Sequence, residues 1–411
     1  MGGLSRAAIV VLAAGSWAGG GCRERAKAME SEAAVRDLVR RLGTQAEQVT
    51  GLRFKRPVVV RLRSRDQVRA YIVHKFDQDL PPRELAGAQA AYKLFGLIPD
   101  SLDLRRTIVD LLTEQVAGYY DPDSSALFIP TDQGDPAKVR LVASHELVHA
   151  LQDQYLPLDS IINQHRENDR RSAAQAVLEG QATFYQISIL MPEQHPESLP
   201  EGWFWRQREA MAQLQSQMPA FSGAPLWLRE TLIFPYLGGA DFISWFVRTH
   251  PKREPYGAAM PLSTEQILHP DRYDANDEPV ALSFGGPGVD TVRYEDGLGE
   301  FEIGLLFSEL LRDSSEERSR VAAQGWGGDR YRVYGVGADA LVWYSVWDDA
   351  ASRDRFVRTL TSAWTARRAG NAGRRYRVDS LTIDSRPGAR LVDAPHEWVG
   401  WKALPGVRIA K

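Results

Sequence analysis

The residues with the clearest chemistry lie in one stretch, Val139–Tyr155, read Val-Arg-Leu-Val-Ala-Ser-His-Glu-Leu-Val-His-Ala-Leu-Gln-Asp-Gln-Tyr. Inside it, His145-Glu146-Leu147-Val148-His149 has the spacing H-E-x-x-H. On an α-helix a four-residue step returns to nearly the same face about 6 Å further along the axis. Both imidazoles can then reach one ion at about 2.0–2.1 Å. Glu146 falls beside the pair, where a carboxylate can take a proton from water. Leu141, Val142, Leu147, Val148 and Leu151 predict a buried helix, with Asp135 as its N-cap and Pro136 at its first position. Random order gives such a match on the order of once per hundred chains of this composition. The alternative is two core histidines satisfied by backbone carbonyls.

A hydrolytic zinc takes three protein ligands and keeps one position open. A third His six residues after His149 is ruled out, because Tyr155 stands there. His165 lies in a polar connection without helical support. Glu179 is the stronger candidate, a carboxylate on the apolar stripe of a helix expected over Asp169–Met191. Burying it alone costs several kcal/mol unless a cation neutralises it, and an Arg from elsewhere could do the same. Gly180 beside it has no Cβ and would let a second helix approach closely. Asp153, four residues beyond His149, could accept a hydrogen bond from a ligand imidazole or be a surface carboxylate at the helix end. His396-Glu397 has Gly400 where a second His would be needed and carries no metal motif.

His145-Glu146-x-x-His149 followed by Glu179-Gly180-x-Ala182 resembles the gluzincin branch of the zincin metallopeptidases. More narrowly, the chain is similar to a family of bacterial secreted or lipoprotein zincins. Stretches like Val116–Asp121, His145–Gln154, Ala176–Thr183, Ser263–Pro270 and Gly325–Tyr331 recur in that family in this order. The resemblance implies Zn2+ held by His145, His149 and Glu179, with Glu146 as general base. The interval from His149 to Glu179 is longer than in better-known gluzincins. Zincins also aim a donor at the oxyanion of the tetrahedral intermediate. Tyr236, in Phe-Pro-Tyr-Leu-Gly-Gly, and His269, in Ile-Leu-His-Pro, qualify on chemistry, with packing or turn roles as the alternative.

Several elements must position these groups. Pro57–Leu62 reads as a strand, and Ser64-x-x-Gln67 as a capping box opening a helix to about Phe76. Pro81–Phe95 and Leu102–Gln115 read as helices, and Val116–Tyr120 with Ala126–Pro130 as a hairpin around Asp121–Ser125. A hairpin feeding the metal helix would leave an open strand edge beside the ion, to which an extended peptide can add. Trp203–Met218, Leu228–Val247 and Ser263–Leu268 look helical, and the tail from Gly325 alternates strands with one helix.

At the start, Arg6 precedes the apolar run Ala7–Gly15, then Ala18-Gly19-Gly20-Gly21 and Cys22, the one cysteine. That run is too short to span a bilayer and reads as an export signal. Cys22 stands where a bacterial lipoprotein would be lipidated, although Gly19 replaces the usual apolar residue; ordinary cleavage nearby is the competitor. A lipid there would tether the body to a membrane surface. With 44% hydrophobic and 25% charged residues a sizeable core can form, and a net charge of −3 gives no case for nucleic acid. Ten of the eleven Trp follow residue 200, which sets the second half apart.

The expectation is an α+β chain. Residues 1–22 are a signal, 23–200 a zincin-like catalytic domain, 201–290 a helical second lobe and 291–411 an α+β module. The expected function is peptide-bond hydrolysis at the cell envelope on a peptide or protein substrate. Two alternatives stay open. One is a non-catalytic envelope protein whose Trp-rich half binds a protein or glycan. The other is a dormant protease gated by Met29–Phe76.

Overall fold

The computed structural model describes residues 8–11, 32–131, 135–163, 167–285, 290–311, 316–335 and 339–410. Cys22 and His165 lie outside them. Strands β1 (Ala8–Val11), β2 (Val59–Arg63), β3 (Val116–Asp121) and β4 (Ala126–Pro130) form a sheet in the order β1-β3-β4-β2. The hairpin β3–β4 is antiparallel, as its turn residues require, while β2 runs parallel to β4. Around it lie α1 (Glu32–Thr50), α2 (Arg65–Asp79), α3 (Pro82–Phe95), α4 (Leu104–Gln115), α5 (Pro136–Tyr155), α6 (Leu158–Asn163) and α7 (Asn168–Leu190). The capping box at α2 forms, with Ser64 N–H donating to Gln67 Oε1 at 2.9 Å and Gln67 N–H to Ser64 Oγ at 3.3 Å. Asp135 caps α5 through the Ala137 N–H at 2.9 Å.

The helical lobe holds α8 (Arg208–Gln215), α9 (Pro219–Ser222), α10 (Leu226–Thr249), α11 (Thr264–Leu268) and α12 (Pro270–Asp274). The single helix expected over Trp203–Met218 is instead a 3-10 turn at Trp205–Gln207 followed by α8. The lobe's tail is not all helix either. β5 (Leu282–Gly285) pairs with a strand from the chain's end, Gly406–Ile409. In the final module β6 (Val292–Asp296), β7 (Trp326–Tyr334), β8 (Ala340–Trp347), β9 (Arg374–Ile383) and β10 (Arg386–Pro395) make an antiparallel sheet ordered β6-β7-β8-β10-β9. Helices α13 (Gly299–Leu311), α14 (Glu316–Ala323) and α15 (Ala350–Arg368) complete it. The class is α+β.

One apolar core runs through all three regions, from Val68 and Phe95 through Val177 and Trp227 to Trp343 and Leu391. Trp227, Trp343, Trp347 and Trp364 of the second half are fully buried in this core. A second core packs Val35, Val39, Leu42 and Val60 against Leu147, Val148 and Leu151 of α5. Residues 32–63, inside the segment Met29–Phe76 weighed as a gate, are therefore packed against α5. The β3 edge is also not open: Ala8–Val11, from the apolar run read as an export signal, pairs antiparallel with it from Tyr120 to Val116. Among the described residues, no helix is long and apolar enough to cross a membrane.

Candidate metal centre

Helices α5 and α7 bring His145, His149 and Glu179 together. His145 Nε2 lies 3.0 Å from His149 Nε2, and Glu179 Oε2 lies 3.1 Å from the first and 3.2 Å from the second. Donors around a tetrahedral zinc, each about 2.05 Å from the ion, stand about 3.3 Å apart, so this triangle has the right dimensions. Among the described residues it is the one group of three or more such side chains with metal-binding spacing. The imidazoles are 2% and 3% exposed and Glu179 16%, so access from solvent is on the carboxylate side.

Charge and tautomer favour a cation here. Burial would raise the Glu179 carboxyl, but the two imidazoles outweigh it and hold it at about 2. Burial lowers His145, while Glu179 overcomes burial at His149 and pushes it to about 9. Two rings 3.0 Å apart share one positive charge, which an ion would supply to all three donors. His149 Nδ1 meets Gln152 Oε1 at 2.7 Å. The Gln152 amide nitrogen is committed to Leu178 O at 3.0 Å and Gln181 Oε1 at 2.9 Å. Its oxygen must therefore face His149, which fixes a proton on Nδ1 and leaves Nε2 as the nitrogen that would give up its proton to an ion.

That corrects the expectation for Asp153. Its carboxylate accepts from Arg56 at 3.0 Å and from the Tyr120 hydroxyl at 2.8 Å, not from an imidazole. The helical step of three, with a side chain one methylene longer, reaches Nδ1 where the step of four does not. Gln152 went unrecognised because a Gln on a helix carries no pattern. Tyr256 went unrecognised too: its hydroxyl donates to Gln181, and Gln181 Nε2 donates to Glu254 at 3.0 Å.

Glu146 is fully buried beside the triad, and its Oε2 accepts the Tyr120 N–H at 2.6 Å. Its Oε1 has no hydrogen-bond partner, an orphaned buried acceptor beside the triad. Burial pushes this carboxyl well above the usual range, against the pull of His149 and the Tyr120 N–H. Gly118 lets β3 come this close, since a Cβ there would stand 2.6 Å from Val142 Cγ1. On the other side α7 meets α10 at Gly180 and Gly239, backbone against backbone. That crossing sets Tyr236 of α10 against His145, with ring centroids 5.8 Å apart.

His269 does not join them. Its Nε2 pairs with Glu300 Oε1 at 2.9 Å in a separate cavity, and that partner raises its pKa. An exposed-looking His before Pro carries no sequence mark that tells these settings apart.

A family model described as Domain of unknown function (DUF8575) matches residues 290–397, a stretch that begins at the boundary expected between lobe and module and contains none of the triad. Comparison with curated proteins and with solved structures gives no match.

Proposed function

We propose that this chain is a zincin-type, zinc-dependent peptidase, exported and tethered to the cell envelope through Cys22. The observation that carries the reading is the triangle of His145, His149 and Glu179 donors beside a buried Glu146 with an orphaned oxygen. Zn2+ held there would polarise a scissile carbonyl and make water acidic enough to attack it. Glu146 accepts the water proton on Oε1 and returns it to the leaving amine. Gln152 holds His149 in the ligating tautomer. Tyr236, whose ring flanks His145, would be the donor to the developing oxyanion.

Peptide as substrate is supported by the β3 edge, along which Ala8–Val11 already lies as an extended antiparallel strand. The same pairing favours, as second reading, a dormant uncleaved form in which the chain's own start, lost on cleavage before Cys22, takes the place of substrate. Hydrolysis of an unstructured protein such as casein, by the full chain and by a chain beginning after Cys22, tests both. Glu146→Gln should abolish cleavage with zinc still bound at one per chain. Activity equal to wild type in Glu146→Gln, or a purified chain that binds no zinc, refutes the reading.

A further inference from the structure

A second cavity, of about 400 Å3, opens between α10, α13, α14 and the turn carrying His269. That volume suits a small organic ligand. Its walls include Trp205, Phe242, Trp245 and Phe301. Five carboxylates line it against one Arg and one His, with Asp241 and Glu300 on facing helices. Asp241 accepts the Phe204 and Trp205 N–H groups at 3.0 and 2.8 Å, and burial raises it to about 6, so it is anionic at neutral pH.

Two features set the cavity apart from an ordinary acidic surface. Glu300 is 4% exposed; its Oε1 takes the His269 bond, while its Oε2 is buried without a hydrogen-bond partner. Gly304, in the middle of α13, also lines the cavity, and a Cβ there would meet nothing within 4 Å. Glycine inside a helix is unfavourable, and here it leaves open space that any other residue would enter.

We propose that this cavity binds a small organic cation, an alkylammonium or guanidinium compound, seated between Trp205 and Trp245 with Glu300 and Asp241 as its counter-charges. Aromatic walls and carboxylates together favour an organic cation. A metal ion fits less well, because among the described residues these carboxylates do not converge at ligand spacing. The binding is independent of the zinc chemistry.

Calorimetric titration of the full chain with agmatine, against 1-pentanol as a shorter neutral alkyl compound, tests it. Agmatine should saturate at one per chain and pentanol should not bind. Glu300→Gln should weaken agmatine binding at least tenfold. Gly304→Leu, which fills the space without meeting a neighbour at its Cβ, should abolish binding while the far-ultraviolet spectrum stays native. Gly304→Leu decides alone if Glu300→Gln does not fold. Absence of saturable agmatine binding, pentanol binding as tight as agmatine, or undiminished binding by Gly304→Leu overturns the proposal.

Discussion

Replacing Gly180 by Ala tests whether the crossing of α7 and α10 is what holds Glu179 against the imidazoles. A Cβ at position 180 would lie 2.2 Å from the Gly239 carbonyl carbon, 2.5 Å from its oxygen and 2.6 Å from Ala240 N. Ordinary contact begins at 3.4 Å, and the facing atoms are backbone, which has no rotamer to retreat into. The helices must therefore part by about 1 Å, since a close-packed interior has no slack to absorb the clash. Overpacking of this kind costs roughly 1–3 kcal/mol, against at most about 1 kcal/mol recovered from Ala's better helix propensity. Glu179 is the adjacent residue and moves with its helix. Metal–ligand distances tolerate about 0.2 Å, so the same shift should lower zinc affinity at least about tenfold. Chelator competition reads the affinity and urea unfolding reads the stability. Gly304→Ala is the internal control, because nothing lies within 4 Å of its new Cβ and it should gain up to about 1 kcal/mol. If Gly180→Ala gains stability as Gly304→Ala does and keeps wild-type zinc affinity, the helix crossing does not set the carboxylate.

Gln152→Ala removes the acceptor from His149 Nδ1 and should lower zinc affinity about 10–100-fold, whereas Asp153→Asn, whose partners are Arg56 and Tyr120, should leave it near wild type. Equal losses in the two variants, again by chelator competition, would remove Gln152 from its role. Glu265 titrates at about 9 in the fold, raised from 4.5 first by burial and then by Glu300 and Asp348, with Arg272 opposing. Between those values the folded chain holds a proton that the unfolded chain has released, so stability falls as pH rises from about 5 to about 9. Glu265→Gln carries no such proton, and its urea midpoint should vary less with pH over that range; an unchanged slope would show that Glu265 ionises normally.

How much of this was legible in the chain depends on whether a residue's role is local. The helix carrying His145 and His149 was readable because ligand spacing, N-cap and apolar flanks lie within one segment. Glu179 was readable because a carboxylate on an apolar stripe is a physical conflict that demands a partner. The hairpin and the Ser64 capping box followed from turn and cap chemistry. Gln152, Tyr256 and the Tyr120 N–H were not readable: Gln152 meets His149 three residues away, but what turns its oxygen there is Leu178 O and Gln181, 26 and 29 positions on, and Tyr256 and Tyr120 meet partners 104 and 26 positions away. Asp153 and His269 were misplaced for the same reason: each has a suitable functional group, and only the fold supplies a partner, Arg56 and Tyr120 for one and Glu300 for the other. The pairing of Ala8–Val11 with β3 was hidden because an apolar run fits an export signal and an edge strand equally well.

The module that the family match covers contributes no ligand, yet it bears on the triad through α7. Asp296 of β6 accepts the Asn168 N–H at 2.9 Å, at the first residue of that helix. Asp169, the next residue, accepts from the Thr264 N–H at 3.1 Å and from the Thr264 hydroxyl. Gly299 crowds against it with a φ of +77°, where a Cβ would fall 1.9 Å from Asp169 Oδ1. Asp329 of β7 holds that same turn by accepting the Leu298 and Gly299 N–H groups at 2.9 Å each, and the Trp326 and Trp343 indoles at 3.0 and 2.8 Å. Burial raises the pKa of all three carboxyls, and the donors they face offset that cost. Such a set is expensive to leave half-made, so it fixes the start of α7 sharply. Glu179 lies about three turns further along a rigid helix that α10 pins at Gly180. Held at its start by the module and at its middle by the lobe, α7 has no freedom to carry the carboxylate away from α5. The module's part in the proposed metal centre is therefore to orient the helix that would deliver the third ligand.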